Sequence, residues 1–524
     1  MSERVRVGLV ALAGVTAVLL FVGLSVARGG AGFPLDDGWI HQTYARSLAA
    51  VGRWEYAPGQ VSAGSTAPLW TLLLTLGYLL HLPYLAWTFA LGLACLLWLA
   101  ALGAALWRRL WPEQVRTAWL AALALVLTWQ LVWTAVSGME TLLFMALGLQ
   151  IILLYVDLIG AQARHWARVA LLGILSGLLI LTRPDGLVLL VLVAGGLVSR
   201  QWSVVSNQSS GNRSRSLLTD NRLLITTIWA GTAVLPLIPY FIFNYRASGT
   251  VWPNTFYAKQ AEYAAELARP FLGRLIQLLY FSLGGGAEGW RGISGAQLLL
   301  LPGLVWAGWL ALRSDWTEKR LLRTLPLLWA GGHVFLYAWR LPVAYQHGRY
   351  LLAALPVWVL YGLAGWGVLL EGMGNGRFAR VGALAARLTF ALLLLIFLLF
   401  GAAAYADDVA FIEGEMVATA HWLATNTPPD ALIAAHDIGA IGYFAQRSLL
   451  DVAGLISPEI IPLLDDEAAL TAHILQSDAD YLVTAPGWTY AQVVSAPGVQ
   501  QVYSSNYVWT VEEGRNNTAV YSLP

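Results

Sequence analysis

Residues 33–52 read FPLDDGWIHQTYARSLAAVG and follow directly on a long apolar run near 7–27. Asp36 and Asp37 stand side by side where that run has ended, and the tract after them has helical periodicity. Ile40, Tyr44 and Leu48 recur at i, i+4 and i+8, which predicts a helix lying with one face in lipid. Asp37 and His41 share a different face of it. One carboxylate is enough to cap such a helix. Two adjacent carboxylates at a water–lipid boundary suit proton abstraction from an alcohol, or the holding of a divalent cation.

The composition around this stretch is that of a membrane protein. Of 524 residues 58% are hydrophobic and 12% charged, with mean hydropathy +0.62, against roughly 25% charged residues in soluble chains. The 25 Trp suit helix ends at the lipid headgroups. A lone Cys95 excludes a disulfide framework and a Cys-based zinc site. The N-terminal run, with no small-residue cleavage site after it, is expected to be a retained first span.

Charge divides the chain. Residues 405–524 hold fifteen acidic side chains and two basic ones, Arg447 and Arg515, whereas the first 404 are strongly basic. Two domains are expected, a transmembrane part at 1–404 and a soluble, extracytoplasmic α/β part at 405–524. Within the first, eleven apolar runs alternate with basic clusters such as Arg108/Arg109/Arg116, Arg164/Arg168, Arg213/Arg215/Arg222 and Arg377/Arg380/Arg387. Placing those clusters in the cytoplasm gives about eleven crossings, with the N-terminus inside and the C-terminus outside the membrane. PLWTLLLTLGYLLHLP (68–83) would invert the map if it crossed, so it is read as an interfacial or re-entrant helix. The Ser/Asn-rich stretch 203–216 reads as a flexible linker. In the soluble part, Asp437 is expected to cap a short helix at 438–444.

The same map gathers polar groups on the outer face. SGMET (137–141) supplies Glu140, and TRPDG (182–186) supplies Arg183 and Asp185. NYRASGTVWPNTFYAKQ (244–260) supplies Arg246, Tyr257 and Lys259, and AYQHGRY (344–350) supplies His347 and Arg349. Singly, each has a plainer role: an Arg at a helix end snorkels to the interface, and Arg183 and Asp185 can pair across a turn. Together, carboxylates and cations on one face suggest a site for a phosphorylated lipid and an alcohol.

The order LDDGWIHQTYARSL, YAPGQ, STAPLWTLLL, SGMET, RPDG, PNTFYAK, HGRYLLAALP resembles bacterial GT-C membrane glycosyltransferases of the terminal arabinofuranosyltransferase type. Protein mannosyltransferases and aminoarabinose transferases are more distant relatives, and HDIGAIGYF with LLDVAGL extends the likeness past 430. The resemblance implies a catalytic base in the first outer loop, here Asp36 or Asp37, assisted by Glu140. It implies a polyprenyl-phosphate sugar as donor, a glycan, lipid or protein hydroxyl as acceptor, and transfer with inversion. A divalent cation, if used, would fall to Asp36, Asp37 and Glu140. His41, Arg183, Asp185, Arg246, Tyr257, Lys259, His347 and Arg349 are the candidate substrate-binding residues. Ala57, where that group often has Asn, and SGMET for the commoner SGLET leave the subfamily open. The absence of a Rossmann-like Gly-rich unit also favours a lipid-linked donor over a nucleotide sugar, and no nucleic-acid partner is expected. A flippase for a lipid-linked glycan, or a surface-polysaccharide polymerase or ligase, stands as the alternative. The soluble domain is expected to sit above the outer loops and to carry no catalytic group.

Overall fold

The computed structural model describes residues 1–160, 166–206, 216–284, 296–313, 318–374, 376–487 and 490–524. Arg164, Arg213, Arg215 and most of the 203–216 linker lie outside these. Six described helices are long and apolar enough to cross a bilayer. A seventh crossing results if Pro112–Leu127 and Trp129–Ala135, bent by 61° at their junction, count as one span. Shorter apolar helices, including Trp166–Thr182, Pro184–Val198 and Gln297–Arg313, occupy other expected spans. The chain is thus a multi-pass, predominantly helical membrane protein.

Helix Pro68–Leu79 begins with proline in its first turn, where no N–H is required. Its 12 residues reach about 18 Å, well short of a roughly 30 Å hydrocarbon core. It packs on helix Asp37–Val51, with the Trp70 indole donating to the Gly138 carbonyl at 2.8 Å.

Helix Asp37–Val51 ends at Gly52, whose left-handed backbone (φ +67°) lets its N–H cap the Leu48 carbonyl. The expected lipid-facing stripe is corrected here. Tyr44 is fully buried and Ile40 nearly so, because protein covers this helix where lipid was expected.

The cover is the C-terminal domain. Its five-stranded sheet uses β3 (Leu432–Ala435), β4 (Ser448–Asp451), β5 (Tyr481–Thr484), β6 (Gln500–Ser504) and β7 (Ala519–Ser522) in the order β4-β3-β5-β7-β6. β1 (Glu55–Ala57) and β2 (Gln60–Val61) form a separate hairpin in the first loop. β3 is parallel to β4 and β5, and β7 is antiparallel to β5 and β6. Alternate residues serve different cores, as strand geometry dictates. Ile433, Ala435, Leu449 and Val483 join Trp39, Tyr44 and Tyr56 of the first loop. Ala434, Leu450 and Leu482 pack on Leu470, Ile474 and Val493 within the domain. Each large apolar side chain shut away contributes about 1.5–3 kcal/mol, so this shared core, more than any single polar contact, holds the domain down.

Charge composition changes near Tyr405, but the backbone does not. Helix Arg377–Ile412 runs through that position into a π-helical turn, Glu413–Val417, and on into Ala418–Asn426. Tyr405 is buried, its hydroxyl donating to the Gly32 carbonyl at 3.0 Å.

A candidate active-site cavity

A cavity of about 750 Å³ opens between the first-loop helix, the short segments near 140 and 185, the helix Asn254–Glu262 and the segment 328–352. Asp37, His41, Glu140, Arg183, Asp185, Lys259 and Arg349 all line it. Much of the rest of its wall is apolar and includes Val191, Leu328, Phe335 and Trp339, with Arg340 and Gln260 among them. The four apolar residues are exposed, Val191 by 68% and Trp339 by 56%. One end is therefore densely charged, and one wall is apolar and open to the side.

The charged residues form three linked groups. Asp37, in the first turn of its helix, is gripped by the Arg349 guanidinium. Arg349 also donates to the Tyr350 hydroxyl at 3.0 Å. Burial alone would raise the Asp37 carboxyl, but Arg349 and Lys259 outweigh it and hold the carboxyl below its ordinary range. In the second group, Glu140 places one oxygen 3.1 Å from Arg183 and the other 3.3 Å from His41. Burial again acts upward, and His41 and Arg183 keep Glu140 ionised. Arg183 also binds Asp185 at 3.2 Å and the Tyr337 hydroxyl at 2.7 Å. In the third group, Lys259 pairs with Glu262 at 2.7 Å. Beyond it, His436 of the C-terminal domain lies 3.8 Å from the other Glu262 oxygen and 3.1 Å from Asp437.

Four sequence candidates lie elsewhere. Asp36 does not line the cavity. Its carboxylate accepts the Gly439 and Ala440 amides at 2.6 and 2.7 Å, capping the helical turn after β3. Burial, then Asp437, push its carboxyl up to about 7, a nominally good value for a base, but geometry precedes pKa and both its oxygens face the other domain. This also corrects the expectation that Asp437 caps that turn. Arg246 is exposed at the end of helix Ile238–Ser248. Tyr257 packs edge-on against Phe256, off the cavity wall. His347 points away, into a bed formed by Trp129 and Trp133.

Asp36, Asp37 and Glu140 do not converge on a cation. Among the described residues, no three His, Cys, Asp or Glu side chains gather in a metal-holding group. Asp37 and Glu140 already face arginines and Asp36 faces amides, so the residues as arranged do not fit a divalent ion.

Tyr337 and Tyr350 also line the cavity, and neither was read from the sequence. The Tyr337 hydroxyl donates to Asp185 at 2.9 Å, and the nearby His333 ring meets the Tyr350 carbonyl at 2.8 Å. The signal for Tyr337 was present in HVFLY (333–337), where a His and a Tyr at i, i+4 interrupt an apolar helix, and Tyr350 closes AYQHGRY (344–350).

Residues 406–521 match the profile of a domain of unknown function, DUF8728. No curated protein sequence matches the chain. Among solved structures, ArnT from Cupriavidus metallidurans bound to undecaprenyl phosphate aligns with a TM-score of 0.56 at 16% identity, over 98% of both chains. The Archaeoglobus fulgidus oligosaccharyltransferase in complex with Zn and sulfate aligns at 0.56 and 14% identity, over 93% of this chain and 70% of that one. The oligosaccharyltransferase AglB from the same organism, in complex with an inhibitory peptide and a dolichol-phosphate, aligns at 0.52 and 13% identity, over 90% and 69%. Across nearly its whole length, the chain shares the fold of these structures.

Proposed function

We propose that this chain is a GT-C-type glycosyltransferase that moves a sugar from a polyprenyl-phosphate donor to a hydroxyl of a glycan, lipid or protein. The observation that carries the reading is the meeting of Asp37, Lys259 and Arg349 at the charged end of a cavity whose other wall is apolar and laterally open. A polyprenyl tail fits the apolar wall, and a phosphate fits the two cations. The likeness in fold to a structure bound to undecaprenyl phosphate supports the same donor class.

Donor phosphate would take Arg349 and Lys259 from their present partners, Asp37 and Glu262. Asp37, half-buried and relieved of positive charge, then becomes a stronger base. It accepts the acceptor's hydroxyl proton as that oxygen attacks the anomeric carbon. The bond from that carbon to the phosphate oxygen breaks on the opposite face, giving inversion. Its electron pair leaves with the polyprenyl phosphate, whose second negative charge the two cations offset. Glu140, held by His41 and Arg183, orients the sugar.

Mass spectrometry of lipids and surface glycans from cells with and without the gene tests it. Accumulated sugar-phosphate lipid and a missing glycan residue are expected on deletion. A flippase would move the lipid without making a new glycosidic bond in detergent, so bond formation by the purified protein separates the two readings. The proposed orientation has eleven crossings, with the N-terminus in the cytoplasm and the C-terminal domain outside. A cysteine at Glu113 in a Cys95→Ala background should be protected from a membrane-impermeant thiol reagent on intact cells. Labelling there would invert the map.

A further inference from the structure

Three consecutive residues just before Arg349 adopt the left-handed conformation: Gln346 (φ +51°), His347 (φ +59°) and Gly348 (φ +68°). Only glycine does so without steric cost. Such a turn persists where its surroundings over-determine it, and here they centre on His347. Its ring lies edge-to-face between Trp129 and Trp133, at 5.2 and 5.4 Å. Its Nε2 meets Asp408 Oδ2 at 2.8 Å, and the same oxygen accepts the Trp133 indole N–H at 2.9 Å. Asp408 comes from the helix that begins at Arg377, and the two tryptophans from Trp129–Ala135, which leads into Glu140. Two residues after His347, Arg349 reaches back to Asp37.

We propose that His347 and Asp408 are a positioning pair, which clamps the left-handed turn and thereby aims Arg349 at the donor phosphate. The assignment rests on the reading of Arg349 as a phosphate ligand given above. Neither residue of the pair touches substrate; both act through Arg349. His347, expected from sequence to bind substrate, serves the site from behind.

The test is binding of undecaprenyl phosphate to the purified full-length protein, with thermal unfolding as a control for folding. Arg349→Met should weaken binding about tenfold or more, the usual worth of a charge-assisted hydrogen bond to phosphate. His347→Ala and Asp408→Ala should each approach that loss. Asp408→Asn keeps one oxygen able to accept both N–H groups and should bind close to the native level. His347→Gly relieves the left-handed strain but removes the ring, and should remain weak. In the double variant of Arg349→Met with His347→Ala, the second substitution should cost nothing further, because residues acting through one interaction are not additive. Native binding by Asp408→Ala, full recovery in His347→Gly, or additive losses in the double variant would overturn the clamp. Failure of the native protein to bind undecaprenyl phosphate would instead overturn the lipid-donor reading, and this assignment with it.

Discussion

The two faces of helix Asp37–Val51 have opposite fates. One, with Asp37 and His41, looks into the cavity. The other carries Trp39 against Tyr443 and Phe444, and Arg46 donating to the Tyr443 carbonyl at 2.7 Å, with Asp36 capping the adjacent turn. A single peptide step, from Asp36 to Asp37, separates a carboxylate that ties domains together from one that faces the cavity. Adjacent carboxylates here are a division of labour across one helix, and neither duplicates the other.

The sharpest way to break that comparison is to neutralise each carboxylate in turn. Asp37→Asn should lose about 100- to 10,000-fold in turnover, the usual worth of a general base, while remaining folded. Asp36→Asn should lose far less. Equal losses, measured with a lipid-linked donor, would merge the two roles. The cations come next. Lys259→Met should raise the donor KM by about ten- to a hundredfold, since it removes a charge-assisted hydrogen bond to the phosphate, and kcat should change less. An unchanged KM would reduce Lys259 to a partner of Glu262.

The smallest effect concerns docking. Asp36→Asn should weaken the interface by about 1 kcal/mol, as loss of a cap does. Gly439→Ala should do more, since a Cβ there would come 2.0 Å from the Asp36 carbonyl oxygen. Docking should also respond to pH. Burial first, and Asp437 second, raise the Asp36 carboxyl to about 7, with Asp37 adding to the rise. The docked state thus holds the proton more tightly than a released chain does. Its contribution is full below about pH 4 and is lost as pH rises through about 7. Limited proteolysis of the C-terminal domain should be slower at about pH 5 than at about pH 8, and Asp36→Asn should reduce the difference.

The cavity's chemistry was legible where it depended on which loops share a face. Charge and hydropathy alone placed Asp37, Glu140, Arg183, Asp185, Lys259 and Arg349 together. What could not be read was direction. Asp36 and Asp37 are equivalent in a linear sequence, and one step of helix sends them to different domains. Ile40 and Tyr44 were rightly placed on an apolar stripe, but a periodicity does not say whether lipid or protein covers it. His347 was found as a polar residue in the right loop, yet its bed is set by Trp129, Trp133 and Asp408, distant in sequence. Asp408 also moves the point at which the soluble domain can be removed. A truncation at Ala404 would delete half of the clamp, so a cut after Asn426 is the fairer test of whether the remainder transfers sugar slowly.

The helix from Arg377 to Asn426 spans 50 residues without interruption, about 75 Å at 1.5 Å per residue. It is therefore both a ruler and an axle for the sheet it carries. One residue added or removed along it would turn everything beyond by about 100°, swinging Gly439 away from Asp36. The π-helical turn at Glu413–Val417 is the one place where the helical phase is already adjusted. That phase is locked from the far side. Glu415, buried within the turn, receives hydrogen bonds from Ser505, Thr510, Asn517 and the Thr518 amide, at 2.5–2.8 Å. Changes of length in this helix should thus survive only in pairs that restore its rotation, whereas substitutions on its outer surface should pass freely.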